Sequence, residues 1–337
     1  MAGARLLSHF QVGMEVTKGT AVAATRMMYP DLSSTFQIDW QKSYHDGRRT
    51  GSRNPATYAT RMGEAVAVNF RTVDDAGISF DELPFFFAFP NGSTAATSGG
   101  TSYLWDVNAW GGSSAGTARS LTCEYGDDVQ NYEAEYCFAT DISMSADSDG
   151  MTQLSANIVG RQAAKTTKTS LSSVDPVYIP GYLWMPKFAT AQSGLDGAST
   201  IPNFLRSWSM DWTTGLVPHK YQDGNDYFGQ AVESAAVTGT VRLVVDSNAT
   251  AITQFYDKGE AGTIDFLNLT ATGADVGDGT AYKADIDVAL EYTDVQLLAS
   301  DVDGVNTYEI NAKIMDDSSW GQSIGAEVVN SLANLTV

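Results

Sequence analysis

The amino-acid sequence predicts a mainly β protein of two tandem sandwich or barrel units, each with one short flanking α-helix and one long loop. Apolar and polar residues alternate with a period of two along most segments, which is typical of strands with one buried face. Segments with helical periodicity are short and few. A third observation is that a set of residues recurs along the chain at a fixed spacing, which indicates an internal repeat.

The composition supports a folded chain and disfavours several functions. At about 150 residues per domain, 337 residues correspond to about two domains. The 43% of hydrophobic residues can fill packed cores. A net charge of −20 disfavours binding of nucleic acid by charge attraction. No apolar stretch approaches the roughly 18 residues of a membrane helix, and no secretory signal is visible, so we expect no membrane partner.

The repeat relates Phe36–Trp40 to Trp208–Trp212 at an offset of 172 residues. The aromatic, apolar, aspartate and tryptophan positions match, and the same offset relates Val73-Asp74 to Val245-Asp246. We interpret the match as a tandem duplication, with one domain over residues 1–176 and a second over 177–337. Acidic residues are unevenly distributed, since the net charge is −6 over residues 1–180 and −14 over residues 181–337.

Each half is predicted to contain the same elements in the same order. A strand (35–42 or 207–213) leads through a long polar loop to a second strand (65–73 or 237–245), and a short helix follows. In the first half, Ser79 and Glu82 form a capping-box pattern at the helix start. The helix of the second half is expected to begin near residues 248–250 and to carry Ile252, Phe255 and Tyr256. Further strands, joined by Asp-Gly turns at 149–150 and 303–304, complete each half.

One strand in each half separates apolar from acidic residues. Residues 132–144 and 284–292 place their apolar side chains on one face and their acidic side chains on the other, because successive residues of a strand alternate faces. An ordinary solvated sheet face is one interpretation. The recurrence in both halves favours a functional role for the acidic rows. These rows contain Glu133, Glu135, Asp141, Asp285, Asp287 and Glu291.

The two long loops differ in charge. The first, residues 41–61, is basic and contains Lys42, His45, Arg48, Arg49, Arg53 and Arg61, whereas the whole chain has 11 arginines. The second, residues 213–233, has instead Tyr221, Asp223, Asp226, Tyr227 and Phe228. The basic loop could bind an anionic ligand or nucleic acid, contact carboxylates of another copy, or simply be solvated. Because arginine suits carboxylates at interfaces, we favour two different but complementary contacts.

No combination of residues predicts catalysis, a cofactor or a metal. His9, His45 and His219 lack the spacing of metal ligands. The G-x-S-x-G string at residues 112–116 lies between β segments rather than between a strand and a helix, which favours a turn. Cys123 and Cys137 lie near opposite positions of a predicted hairpin. A disulfide and two reduced thiols are both compatible with this position, and reduced thiols are favoured without a signal peptide. We therefore expect a protein that is not an enzyme.

The stretch Gln11–Thr25, with the sequence QVGMEVTKGTAVAAT, resembles the opening of major tail tube proteins of long-tailed, siphovirus-type bacteriophages. The order that follows is also similar: strand, long loop, strand, the helix around Asp81–Phe86, then strands that end at an acidic hairpin. The resemblance implies a structural virion protein made of β-sandwich or barrel units. Six units would form a ring, and stacked rings would form a hollow tail tube.

The resemblance also implies roles for the residues singled out above. The acidic rows would face the lumen and give a negatively lined conduit for ejection. The long loops, with Arg48, Arg49, Arg53, Tyr221, Asp223 and Asp226, would contact the next ring. The implied partners are further copies of the chain, the tape-measure protein, and the tail terminator and baseplate proteins, while DNA passes through the lumen without specific binding. The implied location is the virion tail, after assembly in the host cytoplasm.

Two units per chain predict a ring of three chains with a pseudo-hexameric shape. The alternative is six chains per ring, with the second half as an outer decoration. Other functional classes stay open: a baseplate, hub or capsid-associated protein, or a β-rich host surface adhesin. An adhesin would normally carry a secretion signal, and a hub would form a single ring without polymerising.

Overall fold

The computed structural model describes residues 8–45, 58–91, 95–110, 118–172, 175–233, 236–302 and 304–335. The prediction of a mainly β protein is confirmed. The strands of residues 1–176 are β1 His9–Met14, β2 Arg26–Met28, β3 Thr35–Asp39, β4 Lys42–His45, β5 Tyr58–Arg61, β6 Ala65–Arg71, β7 Thr97–Ser98, β8 Tyr103–Trp110, β9 Leu121–Gly126, β10 Asn131–Asp147, β11 Gln153–Gly160 and β12 Gln162–Thr166. Those of residues 177–337 are β13 Trp184–Ala189, β14 Leu205–Thr213, β15 Leu216–His219, β16 Gln230–Glu233, β17 Gly239–Asp246, β18 Asp265–Asp275, β19 Ala281–Val302, β20 Val305–Ile314 and β21 Ile324–Asn330.

Eight strands form one continuous antiparallel sheet that crosses from the first half of the chain to the second. Their order is β3-β6-β11-β10-β14-β17-β20-β19. The two halves are joined where β10 pairs with β14, from Asp141 opposite Thr213 to Asp147 opposite Ser207. We call this assembly the eight-stranded sheet. Within the described ranges, β3 pairs only with β6, and β19 beyond Tyr292 pairs only with β20, so these segments are its two edges.

The longest two strands, β10 and β19, each bend out of the eight-stranded sheet into a second sheet. The first part of β10 lies in the order β2-β1-β9-β10-β12. The first part of β19 lies in the order β13-β18-β19-β21-β8-β7. In β10 the bend coincides with a bulge and with Tyr136, whose φ is 51°. Each of these two strands is therefore shared between the eight-stranded sheet and one of two further sheets, which we call the second layers.

The same order of pairing occurs in both halves. In the eight-stranded sheet, β3-β6-β11-β10 is followed by β14-β17-β20-β19, and in the second layers β1-β9-β10-β12 has its counterpart in β13-β18-β19-β21. The register corrects one detail of the repeat. Thr35 lies opposite Asn69, whereas Ser207 lies opposite Val244, so the second strands are related by an offset of 175 rather than 172. The connecting loop of the second half is longer by three residues, in a region where insertions cost little.

The division at residue 176 stays a prediction. It falls in the stretch between β12 and β13, which contains no named strand. Two strand pairings cross it, β10 with β14 and β8 with β21. One large hydrophobic cluster also contains buried side chains from both sides, among them Phe70 and Phe138 on one side and Trp208 and Ile286 on the other. The two ranges are therefore packed together extensively.

Both predicted helices are present. The first, α1, spans Leu83–Asn91. Ser79 donates from its backbone N–H (3.0 Å) and its hydroxyl (2.8 Å) to the Glu82 carboxylate, so one of the two bonds of the predicted capping box is present, and the helix begins only after Glu82. The second, α2, is a helical segment with α-helix at Ala249–Ala251 and Lys258–Ala261 and π-helix at Ile252–Asp257 between them. Asn248 Oδ1 accepts the Ala251 N–H at its start (2.9 Å). No helix in the described ranges is long and apolar enough to cross a membrane.

Helix α1 packs across the junction between the halves. Phe86 contacts Phe70 of β6 in the first half (ring centroids 5.1 Å apart), while Phe87 stacks on Trp212 of β14 in the second half (6.1 Å). Both phenylalanines are buried. The β10–β14 pairing is thus covered on the core side by an aromatic contact between one half and the other.

The substitution Phe87→Ala is expected to lower the free energy of unfolding by about 3–5 kcal/mol, because it removes a fully buried aromatic side chain and leaves a cavity at the junction. Denaturant unfolding followed by circular dichroism would measure this loss. Tyr44→Ala, at an exposed aromatic of β4, is the control and should change stability little. A loss below about 1 kcal/mol for Phe87→Ala would contradict the role of α1 at the junction.

Candidate functional site: the polar face of the eight-stranded sheet

The eight-stranded sheet has one face on the core and one concave face toward solvent. Alternation along each strand produces this division: in β14, for example, Trp208, Met210 and Trp212 are buried while Ser209 and Asp211 point outward. The concave face forms a groove of about 1190 Å³. Most of its polar lining is short hydroxyl and amide side chains: Asn69, Ser143, Ser145, Gln153, Ser155, Asn157, Thr213, Thr238, Thr240, Thr293 and Asn311.

On this face some carboxylates are paired with arginines and others are not. Arg242 of β17 pairs with Glu309 of β20 through two bonds of 2.6 and 2.8 Å, which raises the pKa of Arg242 and lowers the pKa of Glu309. Arg71 pairs with Asp74 (3.0 Å). Asp141 and Asp211, by contrast, accept hydrogen bonds only from hydroxyl groups, those of Thr140 and Ser143. Within the described ranges neither forms a salt bridge, and Lys313 of β20 also lines the groove, so the groove carries separate charges of both signs.

The six predicted acidic residues do not form two continuous rows on one surface. Asp141 lines the groove, and Glu291 lies across the β19–β20 pairing from Lys313, which also lines it. Glu133, Glu135, Asp285 and Asp287 lie in the parts of β10 and β19 that belong to the second layers. The bends separate them from the groove. Their assignment to a lumen stays a prediction, and the four in the second layers have local partners.

In the first half, the two acidic residues before the bend have different surroundings. Glu135 is bonded by Arg161 (Nε at 3.0 Å) and by Gln162 (2.6 Å), and the Arg161 guanidinium also lies over the Tyr227 ring. Glu133 lies directly opposite Glu124 in the β9–β10 pairing. Burial raises the pKa of Glu133 above its ordinary value, and the charges of Glu124 and Glu135 raise it further.

In the second half, Asp285 and Asp287 are held by neighbouring side chains. Asp285 is buried, accepts the Thr270 hydroxyl (2.5 Å) and pairs with Lys283. Asp287 accepts hydrogen bonds from Asn268 (2.7 Å) and from Gln192 (3.1 Å) of a short 3-10 helix, Gln192–Gly194. Burial raises the pKa of Asp287, and these two bonds act in the opposite direction. Both carboxylates therefore stabilise local structure.

The two long loops meet within one chain. Each extends into a hairpin, β4–β5 in the first loop and β15–β16 in the second. Arg61 of the first loop pairs with Asp226 of the second (2.6 Å), and Lys220 Nζ donates to the Met62 carbonyl (2.6 Å). The predicted complementarity of the loops thus includes a contact inside the chain.

The other predicted loop contacts remain untested. Arg48, Arg49 and Arg53 lie outside the described residues. Tyr221 is exposed, and its hydroxyl accepts a hydrogen bond from Gln230 (2.5 Å). Hydrogen bonding by the Asn225 backbone lowers the pKa of the exposed Asp223. Contacts of these residues with a neighbouring ring stay predictions.

The remaining candidates for chemistry are the two cysteines and the G-x-S-x-G string. Cys123 and Cys137 are buried free thiols, and burial raises the pKa of Cys137 well above its ordinary value, which makes it unreactive. Residues 112–116 lie outside the described residues. In the part of the chain that the structure describes, no three His, Cys, Asp or Glu side chains come together as a group that could hold a metal ion.

Sequence reasoning missed Asp211 and the hydroxyl and amide lining as a site. Two signals could have identified them. Residues 205–213 alternate between polar and apolar, and Asp211 is the repeat partner of Asp39. No protein-family model matches the chain, and no curated protein matches it either. Any functional assignment therefore depends on the geometry and charge of this face and on the resemblance given above.

The substitution Glu133→Gln is expected to stabilise the protein at pH 7 by up to about 1 kcal/mol, because it removes a like-charge pair directly across two strands. The pKa of Glu133 is raised in the folded state, so its charge destabilises the fold only as the pH rises through that pKa. The gain should vanish below the ordinary value of 4.5. Thermal unfolding between pH 3.5 and 8 would measure it, with Glu260→Gln at an exposed site of α2 as the control. Equal gains at both ends of the range would refute the repulsion.

Proposed function

We propose that the protein is a ring-forming structural subunit, the major tail tube protein of a long-tailed bacteriophage, whose eight-stranded sheet lines a channel. The observation that carries this proposal is the pairing of β10 with β14, which joins two equivalent four-stranded sets edge to edge. The same joint between β19 of one copy and β3 of the next would extend the sheet from chain to chain. Closing the ring would satisfy the backbone groups at both edges.

The tandem duplication is part of this proposal. Its support is the identical strand order of the two halves together with the repeat of Phe36–Trp40 in Trp208–Trp212. Because both halves contribute four strands to one sheet, both would lie at the channel wall. Three chains would then supply six units, a pseudo-hexameric ring. The arrangement with six chains and an outer second half fits less well, because β14 continues the sheet of the first half.

The chemistry of the concave face suits a conduit for DNA. DNA carries about one negative charge per 1.7 Å of its axis, so a basic wall would retain it. The groove instead presents mainly short hydroxyl and amide groups, and among them Asp141 and Asp211 offset the positive charges of Arg71 and Lys313. Such a wall would let the tape-measure protein and then DNA pass without specific binding. Tail terminator and baseplate proteins would close the two ends of a tube in the virion tail, and loop residues such as Arg48, Arg49 and Arg53 would contact the next ring.

Electron microscopy of the purified protein tests this proposal directly. Filaments with a central channel are expected, and a mass measurement on isolated rings should give three chains. Six chains per ring would overturn the pseudo-hexameric trimer. Single rings that do not polymerise would indicate a hub protein instead, and a monomer at all concentrations would overturn the proposal.

The pair of substitutions Asp141→Lys and Asp211→Lys tests the lining. Both side chains are on the open face, so tubes should still assemble, whereas DNA delivery by virions that carry the variant should fall at least tenfold because lysines would bind phosphates. Infectivity and DNA release would be measured. Asp316→Lys, at an exposed position between β20 and β21 outside the groove lining, is the control. Unchanged delivery, or tubes that fail to assemble, would contradict the lumen assignment.

Charge reversal in the basic loop tests the contact between rings. Changing Arg48, Arg49 and Arg53 to glutamate should block elongation at physiological salt while leaving single rings intact, since opposite charges would no longer meet. Filament length by electron microscopy, measured at low and high salt, gives the result. The control is Lys168→Glu, outside both long loops. Normal elongation of the triple variant at low salt would argue against the loop contact.

A further inference from the structure

We infer that Trp40 of one copy docks on helical segment α2 of the next copy and stacks there on Tyr256. The inference rests on the proposed edge-to-edge joining of copies and adds a side-chain contact that no strand pairing requires. Its basis is the way in which the two halves of one chain already fit together.

Within one chain, a tryptophan from the second half is covered by a helix of the first. Trp212 of β14 is 2% exposed, and its ring stacks on Phe87 of α1 with centroids 6.1 Å apart and planes 16° apart. The preceding residue, Phe86, packs on Phe70 in its own half. The two neighbouring aromatic residues of α1 thus contact different halves: Phe86 packs on the first half, and Phe87 packs on the second.

Helical segment α2 carries a similar aromatic pair, but its second ring is uncovered. Phe255 is fully buried against Phe204 (ring centroids 5.9 Å) and Tyr292 (5.3 Å), as Phe86 is against its own half. Tyr256, which follows it as Phe87 follows Phe86, is 46% exposed. Ile252, one turn earlier, is 44% exposed. These two side chains form an apolar patch on the half that would face the next copy.

The matching tryptophan is exposed at the opposite edge of the sheet. Trp40 corresponds to Trp212 in the repeat and follows the last residue of the edge strand β3, yet it is 51% exposed. The Lys42 ammonium lies over its ring, 5.5 Å from the ring centroid. A chain therefore has an exposed tryptophan, Trp40, at one edge of the eight-stranded sheet and the exposed patch of Tyr256 and Ile252 near the other edge.

This arrangement fits a second copy of the same chain as the occupant. Trp40 and the patch on α2 belong to different surfaces of the chain, so the contact is head to tail and propagates from copy to copy. Its geometry continues an interface that already exists between the halves of one chain. Aromatic residues that are buried in this way at the centre of a contact commonly carry a large part of the binding energy.

The substitutions Trp40→Ala and Tyr256→Ala are expected to weaken ring formation at least tenfold each, measured as the chain concentration at half-assembly by mass photometry or sedimentation. Because both side chains are exposed, the unfolding temperature of the single chain should stay unchanged. The double variant should be little worse than either single variant, since the two residues act as one contact. Trp40→Phe should largely restore assembly, and Tyr182→Ala, at a 69% exposed tyrosine of the 3-10 helix Gly181–Leu183, is the control.

Cross-linking between chains tests the neighbour relation directly. Chains carrying Trp40→Cys are mixed with chains carrying Tyr256→Cys and treated with a short bis-maleimide, which should not react with the buried Cys123 and Cys137. Linked pairs are expected only in the mixture and only under assembly conditions. Normal assembly by both alanine variants, without linked pairs, would overturn the docking while leaving the ring intact. Absence of any assembly by the unchanged chain would instead overturn the proposed function.

Discussion

Backbone hydrogen bonding between β10 and β14 determines how the rest of the molecule is arranged. A strand at the edge of a sheet presents unpaired N–H and C=O groups, and here the edge of one four-stranded set is paired by the first strand of the other. That pairing aligns the outward faces of both sets, so that Asp141 and Asp211 lie in one groove. It also leaves one edge at each end of the eight-stranded sheet. The groove and the edges therefore have the same physical origin.

The bends in β10 and β19 allow each of these strands to serve two sheets, and buried polar groups stabilise the irregular backbone there. At the bend in β10, the Glu15 carboxylate accepts the Tyr136 N–H (2.8 Å) and the hydroxyls of Ser120 and Thr122. Burial raises the pKa of Glu15, and these hydrogen bonds act in the opposite direction. At the end of α2, Lys258 and Tyr292 both bind the buried Asp265. Glu15 and Asp265 thus serve local structure rather than contribute surface charge.

Because many carboxylates hold local structure, the net charge alone did not predict where the site lies. The chain has 40 acidic residues, and a count of them does not distinguish carboxylates held by cations or amides from those in the groove. Glu135 is held by Arg161, and Asp287 is held by Asn268 and Gln192. Within the described ranges, Asp141 and Asp211 instead accept hydrogen bonds from hydroxyl groups. The groove depends more on short polar side chains than on a dense row of charge. Its described lining holds two aspartates, one arginine and one lysine, so it has no excess of positive charge.

The sequence by itself determined the elements whose causes are local. Alternation predicted the strands and their buried faces, a capping box predicted α1, and the apolar spacing of Ile252, Phe255 and Tyr256 predicted α2. Only the tertiary structure decided which part of β10 and β19 belongs to which sheet, where each carboxylate lies, and that Arg61 meets Asp226 within one chain. Alternation repeats every two residues on either side of a bend, so it cannot reveal where a strand changes sheets. Strand partners, loop contacts and edges depend on residues far apart in the chain, and these are selected by the packing of the whole core.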